Sequence, residues 1–189
     1  MKIGIDLDGV VFNTEALWMT YAELYDTLYL KRNSIIEKGE PRVQEIYDWN
    51  QEEVVNFFNE YVYFDNIDLM PGAKEVIKLL KDDGLELIVI TARGKTNQQE
   101  WALNKLEKEG IKFDKYYFGQ REKVDICKKE KIDIMIDDNY HICKKMSANG
   151  IKTLYFHSLG RRHINNDKNV YEVYNWGEIY RFIYNIKHN

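Results

Sequence analysis

Proline and cysteine are both nearly missing from this chain: among its 189 residues, proline occurs only at Pro41 and Pro71, and cysteine only at Cys127 and Cys143. The two cysteines have neither metal-ligand spacing nor the density of a secreted disulfide scaffold. Both are expected to pack on helices as small apolar groups, and a reducing cytoplasm is the expected compartment. Long apolar runs are also missing. No stretch of about 20 apolar residues exists to span a membrane. Met1-Lys2 meets acidic residues too early for the apolar region of a signal peptide. Positive charge is not in excess either. A formal net charge of −4 argues against a nucleic-acid polymer held on a basic surface, and leaves room for a small anionic ligand in a locally positive pocket. Internal repeats and low-complexity tracts do not occur.

What is present is an ordinary apolar fraction, in a length that suits one domain with a sizeable insertion. Strand-like runs at Lys2-Asp6, Leu85-Thr91, Lys115-Phe118, Ile132-Asp137 and Lys152-Phe156 alternate with helical patterns at Ala73-Asp82, Asn97-Glu109, Val124-Glu130 and His141-Asn149. Gly84, Gly110 and Gly150 stand where left-handed helix ends belong. This alternation predicts an α/β fold, a Rossmann-like three-layer core with a parallel sheet and right-handed crossovers. Leu85-Ile90 and Ile132-Ile136 are apolar nearly throughout, as strands covered on both faces are. Beyond Leu159 the chain reads as a basic loop, Gly160-Arg161-Arg162-His163, a short strand at Glu172-Val173-Tyr174 and a closing helix, Trp176-Ile186. A packing role is expected for this tail.

One segment breaks the alternation. From Asn13 to Met70 no strand run occurs. Thr14-Leu30 reads as an amphipathic helix with Leu17, Tyr21, Leu24 and Leu28 on one stripe. Asn50-Val62 reads as another, with Asn50 at its N-cap and Glu52 and Glu53 in the first turn. Between them lies a polar stretch containing Gly39-Glu40-Pro41. The expected organisation is therefore a core of residues 1–12 and 71–189 with a small α-helical cap, residues 13–70, inserted after the first strand over its mouth. The other reading is a purely structural subdomain. Tyrosine is abundant, with 14 copies. Trp18, Tyr21 and Trp49 are candidates to stack on a flat ligand, with core packing as their alternative fate.

The chemistry gathers at strand ends. Ile3-Gly4-Ile5 runs into Asp6-Leu7-Asp8-Gly9-Val10. On a strand, Asp6 and Asp8 would project to the same side. At roughly 4 Å two such charges repel by about 4 kcal/mol at an effective dielectric near 20, which a shared cation or a proton relieves. Thr91 ends the second strand and is followed by Ala92-Arg93-Gly94. Lys123 stands just before the helix Val124-Glu130, with Arg121 as its substitute if that helix starts earlier. Asp137-Asp138 ends the run Ile132-Ile136. In an open α/β sheet, ligands bind beyond the carboxyl ends of the strands, where all four features would meet.

This arrangement resembles the haloacid-dehalogenase-type phosphatase superfamily: Asp-x-Asp-Gly-Val after the first strand, a strand-ending Thr, a Lys before a helix and a strand-ending acidic pair. With the small helical insertion and Ile-Asp-Asp-Asn at residues 136–139, it is similar to the 5′(3′)-deoxyribonucleotidase branch. It departs from the eukaryotic members at Ala92-Arg93, where those carry a small residue and then proline. The resemblance implies a Mg²⁺-dependent phosphomonoesterase for a mononucleotide or another small phosphate ester, such as a sugar phosphate. Asp6 would be the nucleophile, and Asp8 the acid and then the base. Asp8 would also offer its backbone carbonyl to the metal. Thr91, the Ala92 N–H and Lys123 would hold the phosphoryl group, with Arg93 either a second phosphate contact or a solvent-facing residue and backbone N–H groups of Leu7 to Gly9 as a nest. Asp6 and Asp138 would bind the metal directly, and Asp137 would act through water or orient a ligand. Hard oxygen donors without His or Cys suit Mg²⁺.

Three rivals remain at this point. A receiver-type signalling domain also uses an acidic cluster, a Thr and a Lys, but places its acidic pair at the first strand. A non-catalytic binding protein on the same fold would not need every catalytic position filled. A paired-carboxylate glycosidase would leave Thr91 and Lys123 without a task.

Overall fold

The computed structural model describes residues 1–33, 46–62, 66–94, 97–157 and 167–188. The Gly39-Glu40-Pro41 stretch and the basic loop at 160–163 lie outside the described residues. Contacts divide the described chain into two compact units. One holds Met1–Phe12, Leu69–His157 and the chain from residue 167, and the other holds Asn13–Asp68.

The first unit is built on six parallel strands, β1 (Lys2–Ile5), β2 (Glu86–Ile90), β3 (Lys115–Tyr117), β4 (Ile134–Asp137), β5 (Lys152–Phe156) and β6 (Val170–Val173). Their order across the sheet is β3-β2-β1-β4-β5-β6. Pairing of Ile5 with Val89 on one side and Ile136 on the other aligns the carboxyl ends of β1, β2 and β4. The order turns outward in both directions from β1 and β4, so the topological switch lies between those strands. Ile3, Ile5, Leu87, Ile88, Ile134 and Ile136 are buried, as central strands covered on both faces require.

Around the sheet run α3 (Ala73–Asp82), α4 (Asn97–Lys108), α5 (Val124–Glu130), α6 (Tyr140–Ala148) and α7 (Trp176–His188). The first two helices, α1 (Thr14–Leu24) and α2 (Gln51–Asn56), belong to the other unit. Helix α3 buries Val76, Ile77 and Leu80 and leaves Leu79 exposed. Helix α7 buries Trp176, Ile179 and Ile183 on one stripe and packs beside α3. There Tyr180 Oη donates to Asp83 Oδ2 at 3.2 Å. The final strand begins two residues earlier than expected and ends at Val173. The glycines after α3, α4 and α6 have φ of 77°, 69° and 78°, the left-handed ends expected of them.

The helical unit is held by aromatic packing. Tyr25 sits between Trp49, Phe57 and Tyr61, at ring-centroid distances of 5.0, 5.5 and 4.7 Å. Trp49 stacks on Tyr47 at 4.5 Å and donates its Nε1–H to Asp26 Oδ1 at 2.8 Å. Trp49 is therefore a core residue, while Trp18 and Tyr21 are half-buried against that core. A capping box opens α2: Glu53 N–H donates to Asn50 Oδ1 at 3.0 Å, and Asn50 N–H donates to Glu53 Oε2 at 2.9 Å.

The expected stripe of α1 needs correction. Leu24 and Leu28 are 48% and 68% exposed, and the buried face runs through Ala22 and Tyr25. For Leu28 the physical reason is a wide turn over Tyr25–Tyr29, closed by Leu30 N–H on the Tyr25 carbonyl at 2.9 Å. That i→i+5 step breaks the 3.6-residue period, and the larger Tyr25 ring fills the core instead.

The insertion leaves and re-enters the α/β unit through a paired neck. Phe12 bridges Leu69 in antiparallel fashion. Met70 N–H donates to Val11 C=O at 2.8 Å, and Asn13 N–H donates to Asp68 C=O at 2.8 Å. Among the described residues, no helix is long and apolar enough to cross a membrane.

Candidate active site

The site forms where β1 and β4 stop. Asp6 N–H still donates to the Ile136 carbonyl at 3.0 Å, so the ladder carries Asp6 one step past the end of β1. The chain then folds back. The Leu7 carbonyl accepts from Val10, Val11 and Phe12 N–H at 3.3, 2.9 and 2.8 Å. Gly9 makes this possible with φ of 71°, a conformation that costs a residue with a β-carbon about 1–2 kcal/mol. Trp176 braces the turn from behind, its Nε1–H donating to the Val10 carbonyl at 2.9 Å.

Asp6 is almost fully buried. Its Oδ1 accepts the Leu7 N–H at 2.8 Å, and its Oδ2 lies 2.7 Å from Lys123 Nζ. Lys123 reaches the site from the N-cap, one residue before α5, and is buried, with Nζ also 2.7 Å from Asp137 Oδ2. Burial alone would discharge this ammonium, but the Asp137 and Asp6 carboxylates outweigh it and hold its pKa well above the ordinary lysine value. Arg121 is exposed, so Lys123 takes the position for which the two were candidates.

Asp137 closes β4 and is fully buried. Its Oδ1 accepts the Asn139 N–H at 2.8 Å. Burial, helped by the nearby Asp6 charge, pushes its carboxyl above the usual range against the pull of Lys123. Asn139 in turn caps α6, its Oδ1 accepting from His141 N–H at 3.0 Å. Asp138 is half-buried against Gly9. Asp6, Asp137 and Asp138 each offer an oxygen, and those oxygens lie within 4.8 Å of one another.

Asp8 points to a different partner. Arg93 grips its carboxylate from two nitrogens, Nε to Oδ2 at 3.1 Å and Nη2 to Oδ1 at 2.5 Å. Asp8 keeps 39% of its side chain exposed, yet the carboxyl lies deep enough that loss of water outweighs the Arg93 pairing and raises its pKa. Arg93 itself is buried. Its guanidinium carbon sits 4.8 Å from the Trp101 ring and 5.7 Å from the Phe12 ring. The expectation that Arg93 either touches phosphate or faces solvent is thus resolved against solvent.

Thr91 is buried just past β2, and its Oγ1 accepts the Arg93 N–H at 3.2 Å. Ala92 between them is exposed. The expected N–H nest at residues 7–9 needs correction, because Leu7 N–H is held by Asp6 and Gly9 N–H donates to the Phe12 carbonyl at 3.0 Å. The tight fold-back of the turn is the cause.

The structure brings Asp6, Asp137, Asp138 and Lys123 into one cluster and joins Asp8 to Arg93 beside it. At formal charges, four carboxylates face two cations. Hard oxygens, an uncompensated negative charge and no soft donor fit a divalent cation of the Mg²⁺ kind. Sequence reasoning missed Trp101, Phe12 and Trp176. Trp101 lies in the helix expected over Asn97-Glu109, and a helical pattern does not distinguish a ring against arginine from a ring in a core.

The whole chain, residues 1–189, matches the family described as 5′ nucleotidase, deoxy (Pyrimidine), cytosolic type C protein. It is 29% identical over 189 residues to a 5′(3′)-deoxyribonucleotidase of Bacillus subtilis, covering 95% of this chain and 96% of that one. Among solved structures, a haloacid dehalogenase-like hydrolase from Streptococcus pneumoniae superposes with a TM-score of 0.69 at 17% identity, covering 96% of this chain and 97% of that one. A haloacid dehalogenase-like hydrolase from Xanthomonas campestris gives 0.68 at 12% identity, covering 98% and 95%. These two establish the fold.

Proposed function

The chain belongs to the family of cytosolic type C deoxy (pyrimidine) 5′-nucleotidases, and from that premise we propose that it hydrolyses (deoxy)nucleoside monophosphates through an aspartyl-phosphate on Asp6. The observation that carries the reading is the Asp6–Lys123–Asp137 bridge, two contacts of 2.7 Å from one buried ammonium. It masks charge on the Asp6 carboxylate, which stands one step past the end of β1, while Asp137 is fully buried at the end of β4.

An anionic nucleophile meets repulsion from a phosphate dianion, and Lys123 offsets that charge on the Asp6 side. As Asp6 forms its bond to phosphorus, the bond to the nucleoside oxygen breaks and Asp8 gives that oxygen a proton. Water then attacks the aspartyl-phosphate, Asp8 takes back a proton, and Asp6 is released with inorganic phosphate. The Thr91 hydroxyl and Ala92 N–H donate to the phosphoryl oxygens. Mg²⁺ would be held by Asp6 and Asp138, by the Asp8 carbonyl and through Asp137; when bound it supplies positive charge at the phosphoryl oxygens. The helical insertion is assigned to substrate choice, since it is tethered to the turn that carries Asp6 and Asp8. Two buried free thiols, Cys127 and Cys143, suit a cytoplasmic setting.

The test is phosphate release from a panel of mononucleotides, sugar phosphates and p-nitrophenyl phosphate, with and without Mg²⁺. Turnover of nucleoside monophosphates that needs Mg²⁺ and disappears in Asp6→Asn is the expected result. A folded protein with no turnover on any ester would favour a binding role, and faster turnover of sugar phosphates would replace the nucleotide assignment.

A further inference from the structure

Arg93 grips Asp8 with two nitrogens and has no part in the reaction above. We propose that Arg93 is a positioning residue that fixes the Asp8 carboxyl for proton transfer, and that its fork serves Asp8 rather than the substrate phosphate. This inference rests on the reading of Asp8 as acid and base.

The two partners are unequally held. The Arg93 side chain is 5% exposed and that of Asp8 39%. Arg93 lies against Trp101 and Phe12, whose rings meet edge to face at 5.3 Å, and cations are attracted to such ring faces. Its backbone is tied at both ends, N–H to Thr91 Oγ1 at 3.2 Å and C=O to the Gly119 N–H at 2.8 Å. The guanidinium is therefore the fixed member and the carboxylate the mobile one. A half-exposed aspartate samples several rotamers, whereas a planar fork gripping both oxygens selects one. A misplacement of about 1 Å can cost on the order of 10²-fold in rate, so the grip has a direct kinetic meaning. Lysine cannot reproduce it, because an ammonium presents one point of charge without the planar two-pronged geometry.

The experiment compares wild type, Arg93→Lys, Arg93→Ala, Asp8→Asn and the double variant Asp8→Asn/Arg93→Ala, all with Mg²⁺ and one nucleoside monophosphate. Arg93→Lys keeps the charge and stem should Arg93→Ala fail to fold. The expected result is a fall in kcat of about 10- to 100-fold in either Arg93 variant, with KM and inhibition by inorganic phosphate within about twofold of wild type. The burst of p-nitrophenol from p-nitrophenyl phosphate, whose leaving group needs little protonation, should fall less than nucleotide turnover. Adding Arg93→Ala to Asp8→Asn should bring no further loss, since the two act as one unit. The proposal is overturned if KM and the phosphate inhibition constant rise while kcat holds, or if Arg93→Ala costs as much without Asp8 as with it. Failure of the underlying reading shows elsewhere: wild type would be inactive, or Asp8→Asn would keep full activity, before any Arg93 variant is assayed.

Discussion

Gly9 and Asp138 compete for the same volume: a β-carbon on Gly9 would lie 1.9 Å from Asp138 Oδ2 and 2.5 Å from its Cγ. The bare backbone at Gly9 is what lets the fourth-strand carboxylate approach the first-strand turn. Gly9→Ala should therefore act twice. The positive φ should cost about 1–2 kcal/mol, seen as a lower urea midpoint. The displaced Asp138 should weaken Mg²⁺ binding, seen as a loss of the Mg²⁺-induced rise in melting temperature. An alanine variant with wild-type midpoint and metal response would show that the turn and the carboxylate are not coupled.

Metal binding should depend on pH in a defined direction. Burial, against the pull of Lys123, holds the Asp137 carboxyl above its ordinary value, so a proton competes with a cation there at higher pH than at a free carboxylate. For an acid whose folded pKa is raised, charging weakens the fold as pH climbs from the unfolded value through the folded one, and a cation offsets that loss. Mg²⁺ at about 100 times its Kd should add about 2.7 kcal/mol, or roughly 5–10 °C in Tm at this chain length, at pH 8. The shift should shrink toward pH 5. Equal shifts at both pH values would mean that Mg²⁺ and this proton do not compete.

The brace behind the turn is separable from the chemistry. Trp176→Phe keeps most of the buried ring but removes the donor to the Val10 carbonyl. A loss of about 1–3 kcal/mol is expected for the buried acceptor left unpaired, measured by denaturant unfolding. KM should stay near wild type, because the Trp176 indole N–H is committed to the Val10 carbonyl. A variant as stable as wild type would mean that the Val10 carbonyl finds another partner.

Both thiols should be inert in the folded protein. Burial pushes Cys127 up to about 12 and Cys143 well above its ordinary value. At pH 8 the thiolate fraction is minimal and access is closed. A thiol reagent should label neither residue in buffer and both after unfolding in guanidinium. Fast labelling of native protein would contradict this burial.

The parts of the site legible in the sequence are those set by strand ends. Asp6, Thr91 and Asp137 follow apolar runs whose carboxyl ends must align once the strands pair in parallel, and Lys123 follows from where a helix must begin. Arg93's partner was not legible, because the approach of the Asp8 turn to the segment after β2 is a through-space event with no periodic signature. The helical unit was read less well for a local reason. Two wide turns, over Tyr25–Tyr29 and Phe57–Tyr61, break the period on which a stripe depends, so Leu28 falls on the outer face. The final strand slipped because Glu172-Val173-Tyr174 shares its apolar alternation with the residues before it.

The paired neck at Phe12 and Leu69 has an evolutionary consequence. Joining an insertion where the host chain already meets itself adds little closure entropy, so the host tolerates guests of very different length and shape. The α/β unit can then be inherited as a constant frame while the grafted helices are exchanged at two adjacent junctions, without disturbing a residue of the acidic cluster.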